Sequence, residues 1–340
     1  MMHKFIFDLS KEYPLLAHDE VIYCLNGEHI EYEVTKTNEN LLILNSNLSD
    51  ETINHIASRL SMTFSIGELL FESNTSLGSV EKKARNHPIG DKGSLAVRYK
   101  NRSESIESKP LVQTVASVYT KKRLVDLSNP DQVIFLLITP KNIFVSDQIA
   151  QVKRSLFEQR KAQFRPFFSP ISIHPKIARS LVNISQINEK STVLDPFCGT
   201  GGILLEAGLM NIKVIGSDIS EDMVSGTRRN LSEYNIDPVD IIHCDIGEIP
   251  TFLSSPVDAV VTDFPYGKST SLQGESLKEL YTRSFTSIQQ VLKPMGRAVI
   301  GSAVEKIDTY VNSGLNHVIT YPLRVHRSLT RYFHVFEKAP

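Results

Sequence analysis

Cysteine is scarce in this sequence: Cys24, Cys198 and Cys244 are scattered through 340 residues without C-x-x-C or histidine pairing. That spacing implies no zinc site or other metal centre, and it fits buried, reduced thiols in a cytosolic compartment. Long apolar runs are also missing. No stretch approaches the about 20 residues that a membrane span needs, and the N-terminus has no signal-peptide pattern, so a soluble, cytoplasmic protein without membrane attachment is expected. Repeats and low-complexity tracts are absent. What remains is 41% hydrophobic and 22% charged residues, the composition of a globular chain long enough for two or three domains.

A net charge of −1 hides an asymmetry. Residues 1–80 carry 4 Lys and Arg against 12 Asp and Glu, whereas residues 81–123 carry 11 against 4. A basic block of this kind is either a solvated face or a nucleic-acid footprint. Within it, Gly93–Lys100 alternates Leu95, Val97 and Tyr99 with Ala96, Arg98 and Lys100, which predicts a half-buried strand with cations on its other face. Ahead of the block, Phe5–Phe7 and Leu41–Leu44 read as strands. Ala17, Val21 and Cys24 have roughly helical spacing, as do Ile53, Ile56, Ala57 and Leu60, and a further helix starts near Ser79. After the block, residues 153–179 hold seven Lys and Arg and one acid, and Pro166, Pro170 and Pro175 prevent a continuous helix. This predicts an ordered or semi-rigid connector.

From Ser191 to Ile219 the chain reads strand, glycine turn, helix, strand, with Asp195 ending the first strand and Asp218 the second. That is one βαβ unit, in which a ligand lies beyond the carboxyl ends of the strands and the second acid grips ribose hydroxyls. A dinucleotide fingerprint would need a third glycine, and Leu204 stands there instead, so a nicotinamide cofactor is disfavoured. Further strands are predicted at Asp240–His243, Val257–Thr262, Arg297–Ser302 and His317–Pro322, alternating with helices, as in a parallel sheet covered on both faces. The last stretch, from Tyr321 to Lys338, lacks helical spacing and suits an antiparallel pair.

D-P-F-C-G-T-G-G followed by Asp218 resembles the S-adenosylmethionine (SAM) site of class I methyltransferases. The resemblance implies that Asp195, Phe197, Gly199 and Gly201 lie along the cofactor and that Asp218 holds its ribose. Asp245, after the next strand, either accepts from the adenine amino group, as the resemblance implies, or caps a helix.

Asp263-Phe264-Pro265-Tyr266-Gly267 follows the apolar strand V-D-A-V-V-T and so emerges on the same rim. Methylating an exocyclic amine requires acceptors for its two hydrogens and an aromatic face for the base. Asp263, the Phe264 carbonyl and Tyr266 meet those needs, with Pro265 holding Phe264 extended. The segment resembles the D-P-P-Y motif of guanine-N2 methyltransferases, with Phe264 in place of the first proline. Since the carbonyl is what the motif uses, a proline at 264 is expected to be tolerated. His326–Arg331, H-R-S-L-T-R, resembles a C-terminal segment of the archaeal guanosine-10 enzymes, and its arginines either contact phosphate or cap a hairpin. His174 and His243 are read as structural.

The stretch A-R-N-H-P-I-G-D-K-G-S-L-A-V-R-Y-K-N-R resembles the THUMP domain, an RNA-binding module of tRNA-modifying enzymes, and Asp126–Ile138 resembles that domain's final strand. The resemblance implies RNA contacts from Arg98, Lys100, Arg102, Lys121, Lys122 and Arg123. Taken in order, the chain resembles the archaeal THUMP-containing tRNA (guanine-N2)-methyltransferases that modify guanosine 10. The expected architecture is an α+β, ferredoxin-like unit at 1–50, a THUMP domain at 51–147, a basic proline-containing linker at 148–172, and an α/β methyltransferase domain at 173–340. That last domain is expected to be Rossmann-like, mostly parallel with antiparallel closing strands. The implied cofactor is SAM and the implied partner tRNA, acting on a monomer. Open at this point are mono- or dimethylation, a small activating protein, another tRNA or rRNA guanosine as target, and an RNA-binding protein without activity.

Overall fold

A computed structural model describes residues 2–38, 40–91, 93–121, 123–170, 172–266, 275–311, 314–326 and 329–340. Lys122, Gly267 and the polar stretch after it, and Arg327 and Ser328 lie outside the described residues. The chain divides into two compact units, one of Met1–Pro14, Glu31–Ser58 and Thr63–Lys153, the other of Leu15–Ile30, Arg59–Met62 and Arg154–Pro340.

The first unit is built on β1 (His3–Leu9), β2 (Tyr32–Asn38), β3 (Leu41–Ser46), β4 (Thr63–Ser73), β5 (Leu95–Asn101), β6 (Gln132–Ile138) and β7 (Ile143–Gln151). They form one sheet in the order β2-β3-β1-β4-β7-β6-β5. The chain leaves the sheet after β1 to form α1 (Pro14–Gly27), which from Leu15 onward belongs to the second unit. Helices α2 (Asp50–Arg59), α3 (Leu77–Asn86) and α4 (Ser108–Tyr119) follow in sequence. Val80 and Ala84 of α3 and Leu111 and Val115 of α4 share a core with Leu95, Ile134 and Leu136.

This arrangement differs from the expected division at residue 50. β1 pairs antiparallel with β3 on one side and with β4 on the other, so strands from both expected domains close a single sheet. Nor is β6 the last strand of the unit. β7 follows it and lies between β4 and β6; its polar Ser146, Asp147 and Gln148 interrupt the apolar pattern that would have marked it in the sequence. The alternation expected of β5 also breaks down. It is an edge strand, in which Leu95 and Ala96 are both buried and Tyr99 is 52% exposed.

The second unit continues with α5 (Ser155–Gln159), α6 (Pro175–Ile184), β8 (Thr192–Asp195), α7 (Gly202–Gly208), β9 (Lys213–Asp218), α8 (Glu221–Glu233) and β10 (Asp240–His243). Then come α9 (Ile249–Phe252), β11 (Val257–Asp263), α10 (Leu277–Val291), β12 (Leu292–Ser302), β13 (Leu315–His326) and β14 (Leu329–Lys338). The sheet order is β10-β9-β8-β11-β12-β14-β13, parallel from β10 to β12 and antiparallel across the last two pairings. This is the parallel sheet that the alternation predicts, with the antiparallel closing strands that the resemblance implies.

The basic connector is ordered because its cations find a buried acid. Arg160 and Arg179 place Nε at 2.8 and 2.9 Å from the two oxygens of Glu206, which is fully buried in α7. His174 caps α6, its Nδ1 accepting from the Lys176 N–H at 3.1 Å, which accounts for that histidine structurally. Glu20 of α1 is likewise buried and accepts from the Ser61 hydroxyl at 2.7 Å, the Met62 N–H at 2.8 Å and the Asn183 amide at 3.1 Å. That network ties α1 to α6.

Candidate active site

In a sheet of this order the strand order reverses between the parallel strands β8 and β11, and the crevice beyond their carboxyl ends is where ligands lodge. Three acids end adjacent or nearby strands there: Asp195 on β8, Asp218 on β9 and Asp263 on β11.

The glycine turn after β8 is shaped by two left-handed residues, Gly199 at φ +51° and Gly201 at φ +74°. A Cβ on Gly201 would lie 2.9 Å from Thr227 Cγ2, whereas one on Gly199 would meet nothing within 4 Å. Backbone at Gly199 thus stands open to a ligand while Gly201 is packed against α8. Leu204, at the missing third glycine, is fully buried, and the close approach of helix to sheet is permitted from the other side. A Cβ on Gly216 of β9 would lie 2.5 Å from Leu204 Cδ1.

The carboxylates differ in their surroundings. Asp195 is buried, accepting from the Thr262 hydroxyl at 2.6 Å and the Phe197 N–H at 3.2 Å; burial pushes its carboxyl up to about 7. Asp218 receives the Gly199 N–H on one oxygen at 2.9 Å and the Ser220 N–H on the other at 3.0 Å. Burial raises its pKa against the pull of those two N–H groups. A carboxylate offers about four acceptor positions, so each oxygen retains capacity for one hydroxyl, the requirement for gripping a ribose diol. The turn and Asp218 therefore fit the adenosyl cofactor. Asp245 accepts from the Gly247 N–H at 2.8 Å and pairs through both oxygens with Arg283, at 2.9 Å for Oδ2. Burial opposes its ionisation, yet Arg283 and the Gly247 N–H hold its carboxyl below the usual range. Arg283 also binds Glu275.

The segment after β11 is pinned at each of residues 264–266. The Phe264 N–H donates to the Gly301 carbonyl at 2.8 Å, the Pro265 carbonyl accepts from the Tyr281 hydroxyl at 3.0 Å, and the Tyr266 hydroxyl donates to Asp263 Oδ1. The Phe264 ring is 1% exposed and packs among Phe197, Tyr281 and Phe285, with centroids at 5.3, 4.9 and 5.7 Å. To the expectation that a proline at 264 is tolerated, this geometry adds a cost in stability: proline would remove both a donor to β12 and an aromatic core residue. Through Phe197, the same ring couples the glycine turn to the Asp263 segment. Burial raises the Asp263 pKa, opposed by Arg331 and the Tyr266 hydroxyl. Arg331 Nη1 stands 3.5 Å from Asp263 Oδ2, and its guanidinium carbon lies 5.3 Å from the Tyr266 ring centroid.

The family model for the RMKL-like methyltransferase domain matches residues 162–331, and a DNA methylase model matches residues 2–229. The tRNA (guanine(10)-N2)-dimethyltransferase of Methanothermobacter thermautotrophicus is 31% identical over 335 residues, covering 97% of this chain and 98% of that protein. The chain belongs to the tRNA (guanine(10)-N2)-dimethyltransferase family. Another member, from Pyrococcus abyssi, is 36% identical over 249 residues, 72% of this chain and 74% of that one. The crystal structure of TrmN from Thermus thermophilus shares the fold, with a TM-score of 0.59 at 18% identity over 99% of this chain and all of that one.

For a member of this family the basic residues of the first unit are of particular interest, and four of those singled out from the sequence, Arg98, Lys100, Arg102 and Arg123, are engaged within the unit itself. Lys100 pairs with Asp8 at 2.8 Å and lies 3.3 Å over the Phe64 ring. Arg102, with its side chain only 3% exposed, binds Asp8, the Leu9 carbonyl and the Asn40 carbonyl. Arg123 donates to the carbonyls of Gly90, Gly93 and Ser94. Arg98 is exposed while donating to the Leu127 carbonyl at 3.4 Å, and Lys121 is exposed. Sequence reasoning named Arg331 only as part of a motif, and passed over Thr262, Tyr281 and Arg283; the one available signal for these was their place on elements leading to the rim.

Proposed function

We propose that this chain transfers methyl groups from S-adenosyl-L-methionine to N2 of guanosine 10 in tRNA, giving N2-methylguanosine and then N2,N2-dimethylguanosine. The observation that carries this reading is the Asp263 segment, pinned at the carboxyl end of β11 and coupled through Phe264 and Phe197 to the glycine turn. It occurs in a chain aligned over 97% of its length with a guanosine-10 dimethyltransferase.

Bound S-adenosyl-L-methionine supplies an electrophilic methyl group. Asp218 is assigned to the ribose hydroxyls, Asp195, Phe197, Gly199 and Gly201 to the methionine side, and Asp245, oriented by Arg283, to the adenine end. Asp263 and the Phe264 carbonyl accept hydrogen bonds from the two amino hydrogens of guanine, and the carboxylate offsets the positive charge that grows on the nitrogen and receives the proton that the methylated amine releases. The base stacks on the ring of Tyr266. The first unit is assigned the role of a THUMP-type tRNA docking module, with Arg98 and Lys121 touching phosphates and Lys100, Arg102 and Arg123 holding the sheet that presents them. Binding of this kind weakens steeply with salt.

Tritium transfer from labelled S-adenosyl-L-methionine to an unmodified tRNA transcript, followed by nucleoside analysis, tests the reading. Label is expected in N2-methylated guanosine and absent from a transcript with adenosine at position 10. Label in any other nucleoside, or undiminished transfer to the adenosine-10 transcript, refutes it.

A further inference from the structure

Asp263 and Arg331 come from β11 and β14, two strands that do not pair; β12 lies between them. In register, Asp263 sits opposite Gly301, and Gly301 opposite Phe333. A Cβ at Gly301 would collide with Asp263 Oδ1 and lie 2.8 Å from Phe333 Cε1. The bare glycine leaves the gap that the Asp263 carboxylate occupies. Arg331, two residues before Phe333, emerges on the same face of β14, because strand side chains alternate. Its side chain is 11% exposed, its Nη1 reaches Asp263 Oδ2 at 3.5 Å, and it lies over the Tyr266 ring. Its Nε is buried and has no hydrogen-bond partner among the described residues. A cation held in this way, with a donor unmatched, is anchored by the carboxylate and the ring and by little else.

We propose that Arg331 is a positioning residue for methyl transfer: from the closing hairpin it orients the Asp263 carboxylate and balances its charge, so that the carboxylate accepts from the substrate amino group. This rests on the reading of Asp263 given above. Among the described residues, the groups that face Asp263 are Tyr266 on its own segment, Arg331 on β14, Tyr281 on α10 and Asp195 on β8. Arg331 is the one cation among them. Burial favours the protonated carboxyl, which has only one fully available acceptor oxygen, while Arg331 and the Tyr266 hydroxyl favour the ionised form. Removing the guanidinium should therefore protonate Asp263 at a higher pH and impair turnover most on the acid side.

The test is single-turnover methylation at saturating tRNA and S-adenosyl-L-methionine, from about pH 6 to about pH 9, for Arg331→Gln, Arg331→Lys and Asp263→Asn. For Arg331→Gln the loss should be roughly tenfold larger at the acid end than at the alkaline end, the size of one unit of displaced titration. Arg331→Lys should restore most of the profile, and affinity for S-adenosyl-L-methionine should stay unchanged in both. A loss equal at every pH overturns the proposal, as does a defect confined to tRNA affinity, the mark of a phosphate contact. If Arg331→Gln does not fold, Arg331→Lys decides alone: a near wild-type profile supports the charge role, and a uniform loss refutes it. Should Asp263→Asn retain turnover, the reading of the site itself fails; should it be inactive while the Arg331→Gln profile is flat, only the role of Arg331 falls.

Discussion

The Tyr266 hydroxyl donates to Oδ1 of Asp263, so the aromatic residue of the D-F-P-Y segment is tethered to the acid that begins it. Read from sequence, Tyr266 contributes a ring face alone. With the tether in place, Tyr266→Phe should lower turnover clearly, because the hydroxyl helps keep Asp263 ionised, and Tyr266→Ala should be worse because the stacking face is also lost. Asp263→Ala should cost on the order of 10²–10³ in turnover, the usual consequence of deleting one preorganised electrostatic contact, with cofactor affinity unmoved. Single-turnover rates check the series. Equal rates for wild type and Tyr266→Phe would show the hydroxyl bond to be idle.

Phe264 should behave as a core residue. Phe264→Ala is expected to destabilise the fold by about 3–5 kcal/mol, as for other buried aromatic truncations. Phe264→Pro should cost at least as much, because the donor to Gly301 is lost along with the ring. Denaturant unfolding measures both. A Phe264→Pro protein as stable as wild type would mean that the ring cluster of Phe197, Phe264, Tyr281 and Phe285 contributes nothing.

The two left-handed glycines should separate binding from stability. Alanine at either position carries about 1–2 kcal/mol of backbone strain. At Gly199 the new methyl group points into open space, so Gly199→Ala should weaken S-adenosyl-L-methionine binding while lowering Tm only modestly. At Gly201 it meets Thr227, whose hydroxyl holds the Gly199 carbonyl at 2.8 Å, so Gly201→Ala should lower both affinity and Tm. Calorimetry and thermal unfolding on the pair would show the reverse ranking if the turn were packed otherwise.

Asp195 should make the fold less stable as the solution becomes alkaline. Its carboxyl is raised in the folded protein to about 7, so its contribution is fully present below the ordinary carboxyl pKa and lost as pH rises through about 7. Asp195→Asn keeps an acceptor for Thr262 and removes the titration. Relative to wild type, the variant should gain stability between acid and alkaline pH, by an amount on the order of a few kcal/mol. Unfolding free energies measured across that range would contradict this if the two curves ran parallel.

The sequence by itself determined the catalytic half of this protein closely, because its evidence is local. A β-branched run, a glycine turn and an acid 23 positions further on dictate a βαβ unit whatever surrounds them, and D-F-P-Y at the end of an apolar strand reaches the same rim through the parallel topology alone. Six strands of that unit were visible in their alternation with helices. The fate of individual side chains was decided only by tertiary structure. Arg98, Lys100, Arg102 and Arg123 read alike as cations, yet a carboxylate at position 8 and carbonyls at 9, 40, 90, 93 and 94 draw three of them in, while the first stays exposed with one long bond to the carbonyl at 127. β7 escaped notice because polar residues break its pattern in the middle of a sheet, and the joining of β1 to β4 depends on pairings distant in the chain. Phe264 reads as a departure from a motif until the fold places its ring in the core, and Arg331 reaches Asp263 only because Gly301, on the strand between them, has no side chain to stand in the way. Periodicity and turn chemistry act over a few residues and are written in order along the chain; charge pairing and packing act through space, and folding alone brings their partners together.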